Sequence, residues 1–155
     1  MMAGIRGKNT RPEKAIRKAL HSAGYRFRLH RRDLPGSPDI VLPKYKAVIF
    51  VHGCFWHHHA DCPLFKLPSS RTDFWRAKLE ANAQRDARNI AALAGAGWRI
   101  LVIWECGIRS SAAESVKQAC DWIQGSKPHA EIFLKEGQVS TGNLLVEQLT
   151  PLPST

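Results

Sequence analysis

The sequence predicts a single α/β domain in which a mixed β-sheet is flanked by helices. Three observations predict this fold class. Strand patterns alternate with helical patterns, one strand is a nearly continuous apolar run, and 155 residues suffice for one hydrophobic core. We therefore expect residues 1–155 to form one domain, with a poorly defined C-terminal tail from about residue 136.

The N-terminal part begins with a predicted helix, which Thr10 can cap while Glu13 completes a capping box. Polar and apolar residues then alternate from Tyr25 to Leu29, which predicts a half-exposed strand. The loop HRRDLPGSP leads into a short strand over residues 39–42. A turn separates it from the apolar strand 47–51, whose continuous pattern indicates a central position in the sheet.

The rest of the chain begins with an irregular segment of twenty residues, HGCFWHHHADCPLFKLPSSR. So long an irregular segment inside a compact domain is typical of a functional or metal-binding region. Helical patterns then cover residues 72–94 and 112–123, and apolar strand patterns cover residues 98–104 and, more weakly, 131–134. The element order is α-β-β-β-α-β, followed by α-β.

The charge balance favours a polyanionic partner. The chain has 23 Lys and Arg against 13 Asp and Glu, a net charge of +10. An excess of this size favours a nucleic-acid partner over the alternative that the protein is simply basic. No apolar run is long enough to span a membrane, and the N-terminus lacks the pattern of a secretory signal. We therefore expect a cytoplasmic protein whose cysteines stay reduced.

Cysteine and histidine cluster in the irregular segment. Cys54, three consecutive histidines at 57–59 and Cys62 lie within nine residues, and Cys106 follows at the end of a predicted strand. Cys54, His59, Cys62 and Cys106 complete the Cys₃His set of a closed structural Zn²⁺ site. The alternative is free buried thiols beside surface histidines. Cys120 sits in a helical pattern and is interpreted as a small core residue.

A second candidate site lies between two predicted strands. Pro38 and Asp39 open one strand, and the next strand ends at Val51 and His52. A carboxylate from one strand together with groups from the next can hold a hydrated Mg²⁺ ion, which prefers oxygen ligands. Taken alone, the Pro-Asp pair is more typical of a turn.

Three segments carry a family resemblance: LPGSPDIVLPKYKAVIFVHGCFWHHH, RTDFWRAKLEANAQRDARNI and AGWRILVIWEC. Together they resemble the very short patch repair endonucleases over residues 2–108, and the element order resembles the restriction-endonuclease-like superfamily. The resemblance implies an enzyme that nicks double-stranded DNA 5′ of the thymine in T·G mismatches left by deaminated 5-methylcytosine. It further implies a bacterial, nucleoid-associated monomer linked in function to a C5-cytosine methyltransferase and mismatch repair proteins.

The resemblance also implies roles for individual residues. Asp39 would be the Mg²⁺ carboxylate, and the main-chain carbonyl of Val51 a second ligand, at a position where the family usually has threonine. His57 would be the general base, His52 would assist at the scissile phosphate, and Glu13 would hydrogen-bond within the site. In the zinc set, two residues separate His59 from Cys62 where the family has one.

DNA contacts are implied at two places. The resemblance places Met2 in a short N-terminal arm on the minor-groove side, and predicts that aromatic rings enter the base stack at the mismatch. The rings concerned are Phe55, Trp56 and Trp75. The alternative is that all three are core residues without a role in DNA binding. The long helix carries a polar stripe that faces either solvent or the DNA groove: Lys78, Asn82, Arg85 and Asn89.

Two alternatives remain open at the level of the sequence. One is a zinc-stabilised nicking or homing-type endonuclease of the same fold with another DNA target. The other is a zinc-containing DNA-binding module that lacks chemistry. A zinc hydrolase is disfavoured because the chain has no His-Glu-x-x-His motif.

Overall fold

The computed structural model describes residues 10–144 and residue 146. Its helices and strands follow the order predicted from the sequence, with two additions. They are α1 (Arg11–Ser22), β1 (Arg28–Leu29), β2 (Ile40–Leu42), β3 (Ala47–His52), α2 (Thr72–Gly95), β4 (Arg99–Trp104), α3 (Glu105–Ser110), α4 (Ala112–Gln124), β5 (His129–Lys135) and β6 (Gln138–Asn143). The predicted mixed α/β class is confirmed.

The strands form one six-stranded sheet in the order β1-β2-β3-β4-β5-β6. The central pairs β3–β4 and β4–β5 are parallel, and the other pairs are antiparallel. Parallel neighbours need long connections, and here they pass through α2 and through α3 with α4. The arrangement brings the carboxyl ends of β3 and β4 to the same edge of the sheet.

Helices cover both faces of the sheet, which is why β3 is apolar along its whole length. On one face, α1 and α4 bury Ile16 and Ile123 against Ile49 of β3. On the other face, α2 buries Ile90 against Val48. No helix in the described residues is long and apolar enough to span a membrane.

Two local departures from the predicted elements have a physical explanation. The strand predicted over 25–29 is reduced to Arg28 and Leu29, because β2 offers only a short partner. β6 lies in the tail that was expected to be poorly defined. It pairs with β5 across Glu136 and Gly137, which both have positive φ as a two-residue hairpin turn requires.

Candidate active site

A pocket with a volume of about 390 Å³ opens where the end of β3 meets α2. Four residues expected at the catalytic site line it together, namely Asp39, Val51, His52 and His57. Asn89, predicted in the polar stripe of the long helix, also lines it. Four further polar side chains in its wall were not predicted as site residues: His30, Arg32, Ser37 and Asp86. We call this site the catalytic pocket. The fold thus joins residues that are far apart in the chain.

Asp39 lies immediately before β2 and is 8% exposed. Its Oδ2 accepts a hydrogen bond of 2.7 Å from the main-chain N–H of Val51. Burial raises the pKa of the Asp39 carboxyl to about 7, against the opposing effect of that hydrogen bond, and the negative charge of Glu13 adds to the rise. A cation at this point would favour the ionised form.

Two imidazole rings stack at the end of β3. The ring centroids of His52 and His57 are 3.8 Å apart and the planes differ by 2°. Burial, followed by the charges of His57 and His59, lowers the pKa of His52 well below its ordinary value. His52 is therefore a neutral ring that fixes the plane of His57.

His57 has a carboxylate partner on α2. Its Nδ1 lies 2.5 Å from Oδ2 of Asp86. When Nδ1–H donates to this carboxylate, Nε2 keeps its lone pair and can accept a proton. Asp86 was missed because the sequence analysis assigned the functional face of the long helix to the stripe that contains Lys78 and Arg85. Both of those residues are exposed, whereas the half-buried face of α2 carries Asp86.

Glu13, on α1, forms the back of the site. Its side chain is 1% exposed, and its Oε2 lies 2.7 Å from Nε2 of His30 and 3.1 Å from Nη1 of Arg17. His30 Nε2 also lies 4.0 Å from Oδ1 of Asp39. The predicted cap is present as well, because Thr10 Oγ1 accepts a bond from the N–H of Glu13. One glutamate thus joins a helix start to the pocket.

A second cluster lies beside the catalytic pocket. Cys54, His59, Cys62 and Cys106 offer ligand atoms that all lie within 4.8 Å of one another. We call this set the cysteine cluster. Cys106 belongs to the first turn of α3, an element that the strand pattern before it did not reveal.

The chemistry of the cysteine cluster fits a soft divalent metal. The Cys106 thiol receives hydrogen bonds from the Cys54 thiol, His59 and the Leu134 N–H, which lower its pKa to about 4 against the effect of burial. A thiolate is the form that binds a metal. All four cysteines of the chain are free, and Cys120 lies apart, half-buried beside the core as expected.

The predicted DNA-contacting aromatics form one group at the surface. Phe55, Trp56 and Trp75 have ring centroids between 5.2 and 6.1 Å apart, and all three are partly exposed. Phe74, 46% exposed, extends the group. These rings are therefore not fully buried core residues.

The remaining expected DNA contacts have different surroundings. Asn82 donates from Nδ2 to the carbonyl of Trp56 at 3.1 Å, so its amide holds the aromatic segment in place. Lys78 and Arg85 are exposed on α2. Met2 lies outside the described residues.

Comparison with known proteins identifies the family to which the chain is similar. The model of the DNA mismatch endonuclease Vsr family matches residues 1–63. A type II nicking enzyme of Xanthomonas oryzae pv. oryzae is 58% identical over 113 residues, 73% of this chain and 82% of the relative. The DNA mismatch endonuclease Vsr of Escherichia coli is 42% identical over 135 residues, 84% of this chain and 86% of the relative.

A third relative, a type II nicking enzyme of Neisseria meningitidis, is 43% identical over 112 residues, 72% of this chain and 79% of the relative. All three relatives are named as enzymes, which excludes the alternative of a DNA-binding module without chemistry. The chain therefore belongs to the Vsr DNA mismatch endonuclease family and is an endonuclease that acts on DNA.

Proposed function

We propose that this endonuclease nicks double-stranded DNA on the 5′ side of the thymine in T·G mismatches, by Mg²⁺-dependent hydrolysis. One observation carries the proposal. Within a chain of the Vsr family, the Asp39 carboxyl, the Val51 main chain and the His57–Asp86 pair share one pocket. The process would be very short patch repair of deaminated 5-methylcytosine, linked to a C5-cytosine methyltransferase.

The residues of the catalytic pocket fit a hard divalent cation. Asp39 is a carboxyl whose pKa is raised by burial, so it gains more from a bound cation than an exposed carboxyl does. We propose that the Asp39 carboxylate and the Val51 carbonyl hold Mg²⁺. The ion would supply positive charge at the scissile phosphate. Because the ligand at position 51 is main-chain, replacement of the family threonine by valine leaves it available.

We propose that His57 is the general base. Its Nε2 accepts a proton from water, the water oxygen forms a bond to phosphorus, the bond from phosphorus to one deoxyribose oxygen breaks, and that oxygen takes up a proton from solvent. Asp86 holds Nδ1–H and stabilises the imidazolium that forms. His52, stacked on His57, restricts the ring to one plane.

Glu13 and His30 are proposed positioning residues. The His30 ring joins Glu13 to the neighbourhood of Asp39, at 2.7 and 4.0 Å respectively. Arg17 contacts the same Glu13 oxygen, so two basic side chains stabilise this buried carboxylate. Glu13 then contributes a fixed negative charge next to the proposed cation.

We propose that the cysteine cluster binds one structural Zn²⁺. Three thiols and one imidazole form a closed tetrahedral donor set. Apparent Zn²⁺ binding free energies in small domains are on the order of 10 kcal/mol or more. An ion here would fix the segment that carries both His57 and the aromatic group.

We propose that Phe55, Trp56 and Trp75 enter the base stack at the mismatch. Contacts to phosphates carry no sequence information, so a T·G pair must be recognised through base edges or through the ease of deformation. The three rings are partly exposed and lie near the proposed general base His57, which suits recognition through the ease of deforming the mismatch. Lys78, Asn82 and Arg85 would lie along the same groove.

The fold and the assembly state complete the proposal. We infer that α1, β1–β4 and α2 form a restriction-endonuclease-like core within a single domain, and that the enzyme acts as a monomer. The order of these elements supports the fold assignment.

The test is a nicking assay on T·G and matched C·G duplexes, with and without Mg²⁺. We expect nicking 5′ of the thymine, on the T·G duplex alone and only with Mg²⁺. Base–aromatic stacking contributes about 1–3 kcal/mol per base. Phe55→Ala/Trp56→Ala should therefore reduce the preference for T·G about 5- to 150-fold. Equal nicking of both duplexes by the wild-type protein would contradict the proposal.

A further inference from the structure

The positive charge of this chain is concentrated near its N-terminus. Residues 1–32 contain ten Lys or Arg and one acidic residue, whereas residues 33–155 contain thirteen and twelve. The first fifth of the chain thus accounts for nine of the ten net charges. A surface helix normally mixes both signs of charge, so this imbalance indicates a polyanionic partner for the N-terminal region itself.

Helix α1 presents this charge on one exposed face. Its apolar residues Ile16 and Leu20 face the core, and Glu13 is buried on the same side. The other side carries a stripe at i, i+3, i+7 and i+10 that is exposed along its length: Arg11, Lys14, Lys18 and His21. We call these four residues the basic stripe.

The basic stripe differs from the charged faces of α3 and α4. On α4, Lys117 lies 3.2 Å from Asp121, and on α3, Arg109 lies 2.9 Å from Glu105. Within the described residues, Lys14 and Lys18 have no acidic partner. Like charges four residues apart destabilise a helix by a few tenths of a kcal/mol, and a bound polyanion would relieve that repulsion.

A groove borders the basic stripe. It has a volume of about 610 Å³ and lies between α1 and the edge strand β1, with Phe27 and Leu29 on its apolar side and Lys14 and Lys18 on its basic side. Residue 30, which follows Leu29, lines the catalytic pocket, and Arg17 in the groove contacts Glu13. Because Glu13 also contacts His30 of the catalytic pocket, two side-chain contacts separate the groove from the pocket.

We propose that the basic stripe binds the phosphate backbone of the duplex that flanks the nicking site on one side. The inference rests on the DNA substrate of the proposed function but not on its T·G specificity. The stripe runs about 15 Å along α1, the length of about four base pairs. Its contacts are to phosphates, so it binds matched and mismatched duplexes alike.

The test compares Lys14→Gln/Lys18→Gln with the control pair Lys127→Gln/Lys135→Gln, which removes two exposed charges near the ends of β5. Binding to a matched C·G duplex of about 30 base pairs is measured without Mg²⁺ over a range of salt concentrations. Removing one lysine–phosphate interaction should reduce the slope of log K against log salt by about 0.9. We expect the slope to fall by about 1.8 for the Lys14/Lys18 pair and to stay unchanged for the control pair.

Two truncated duplexes locate the bound flank. Removing the flank on one side of the site should abolish the difference between wild type and Lys14→Gln/Lys18→Gln, and removing the other flank should preserve it. Lys14→Arg/Lys18→Arg keeps the charge and should restore the wild-type slope, which separates loss of charge from loss of fold. A wild-type slope for the Gln pair, or equal reductions on both truncated duplexes, would overturn the proposal.

Discussion

The catalytic pocket and the cysteine cluster share one short segment and differ in their chemistry. The pocket takes His52 and His57 from this segment and combines them with carboxylates. The cysteine cluster takes Cys54 and His59 from it and combines them with two more thiols. The pocket is open and combines carboxylates and imidazoles with apolar side chains, whereas the cysteine cluster is mostly buried and rich in sulfur.

The two sites show how one fold assigns stability and reaction to different ligand sets. Hard oxygen ligands in an open pocket suit an exchangeable ion and a substrate, and soft ligands in a closed site suit an ion that stays bound. Damage to the pocket should therefore abolish nicking without unfolding the protein. Damage to the cysteine cluster should unfold the shared segment and lose nicking as a consequence.

The largest effect is expected from Asp39→Ala, which should reduce nicking by about 10³-fold or more because charge stabilisation at the phosphate is lost. His57→Ala should reduce it by about 10² to 10⁴-fold. Nicking rates and elemental analysis are measured on the same preparations. Both variants should keep the metal content of the cysteine cluster, and an Asp39→Ala protein with a normal rate would place the active site elsewhere.

Asp86→Asn tests the partner of His57 alone, because it changes neither the proposed ligands in the catalytic pocket nor the cysteine cluster. The amide no longer fixes the Nδ1–H form of His57, so we expect nicking to fall on the order of 10²-fold. Single-turnover rates measure the loss, and Asp73→Asn, an exposed acid on the same helix, is the matched control. Equal rates for the two variants would show that His57 works without its carboxylate.

Cys106→Ser tests the cysteine cluster. The wild-type protein should contain about one zinc per chain, and the variant should lose it and melt on the order of 10 °C lower. Cys120→Ser, outside the cluster, should change neither quantity. Correctly folded wild-type protein without zinc would contradict the metal assignment.

The smallest effect concerns pH. The pKa of Asp39 rises from 3.8 to about 7 on folding. The folded state therefore holds a proton that the unfolded state has released, and the free energy of unfolding falls as pH rises from about 4 to 7. Mg²⁺, if held by Asp39 as proposed, would favour the ionised form and should reverse this loss. Melting temperatures at pH 5 and pH 8, with and without Mg²⁺, measure both effects, and Asp39→Asn should show neither.

The same group predicts a pH profile of nicking. The rate should rise as pH passes through 7, because ionised Asp39 is required, and the midpoint should move to lower pH as Mg²⁺ concentration increases. A midpoint that does not depend on Mg²⁺ would assign the titration to another group.

Several parts of the fold were predictable from local patterns. The apolar run of β3, the Thr10 cap of α1 and the spacing of Cys54, His59 and Cys62 each depend on residues close in the sequence, and the structure has all three. β6 was not predicted, because its polar residues pair through a turn and not through an apolar face.

The candidate site divides in the same way. Asp39 and His57 stand in recognisable segments, so they were proposed from the sequence alone. Asp86 and His30 were missed because their roles depend on contacts across 29 and 17 residues of chain. A polar residue in a loop or on a helix carries no local signal of the partner it will meet.

The interleaving of the two clusters has an evolutionary consequence. His52, Cys54, His57 and His59 alternate between the catalytic pocket and the cysteine cluster, and main-chain bonds such as His57 N–H to the Gly53 carbonyl tighten the segment. An insertion between residues 52 and 59 would misplace ligands of both sites at once. Substitutions between these four positions can therefore be tolerated where changes in length cannot.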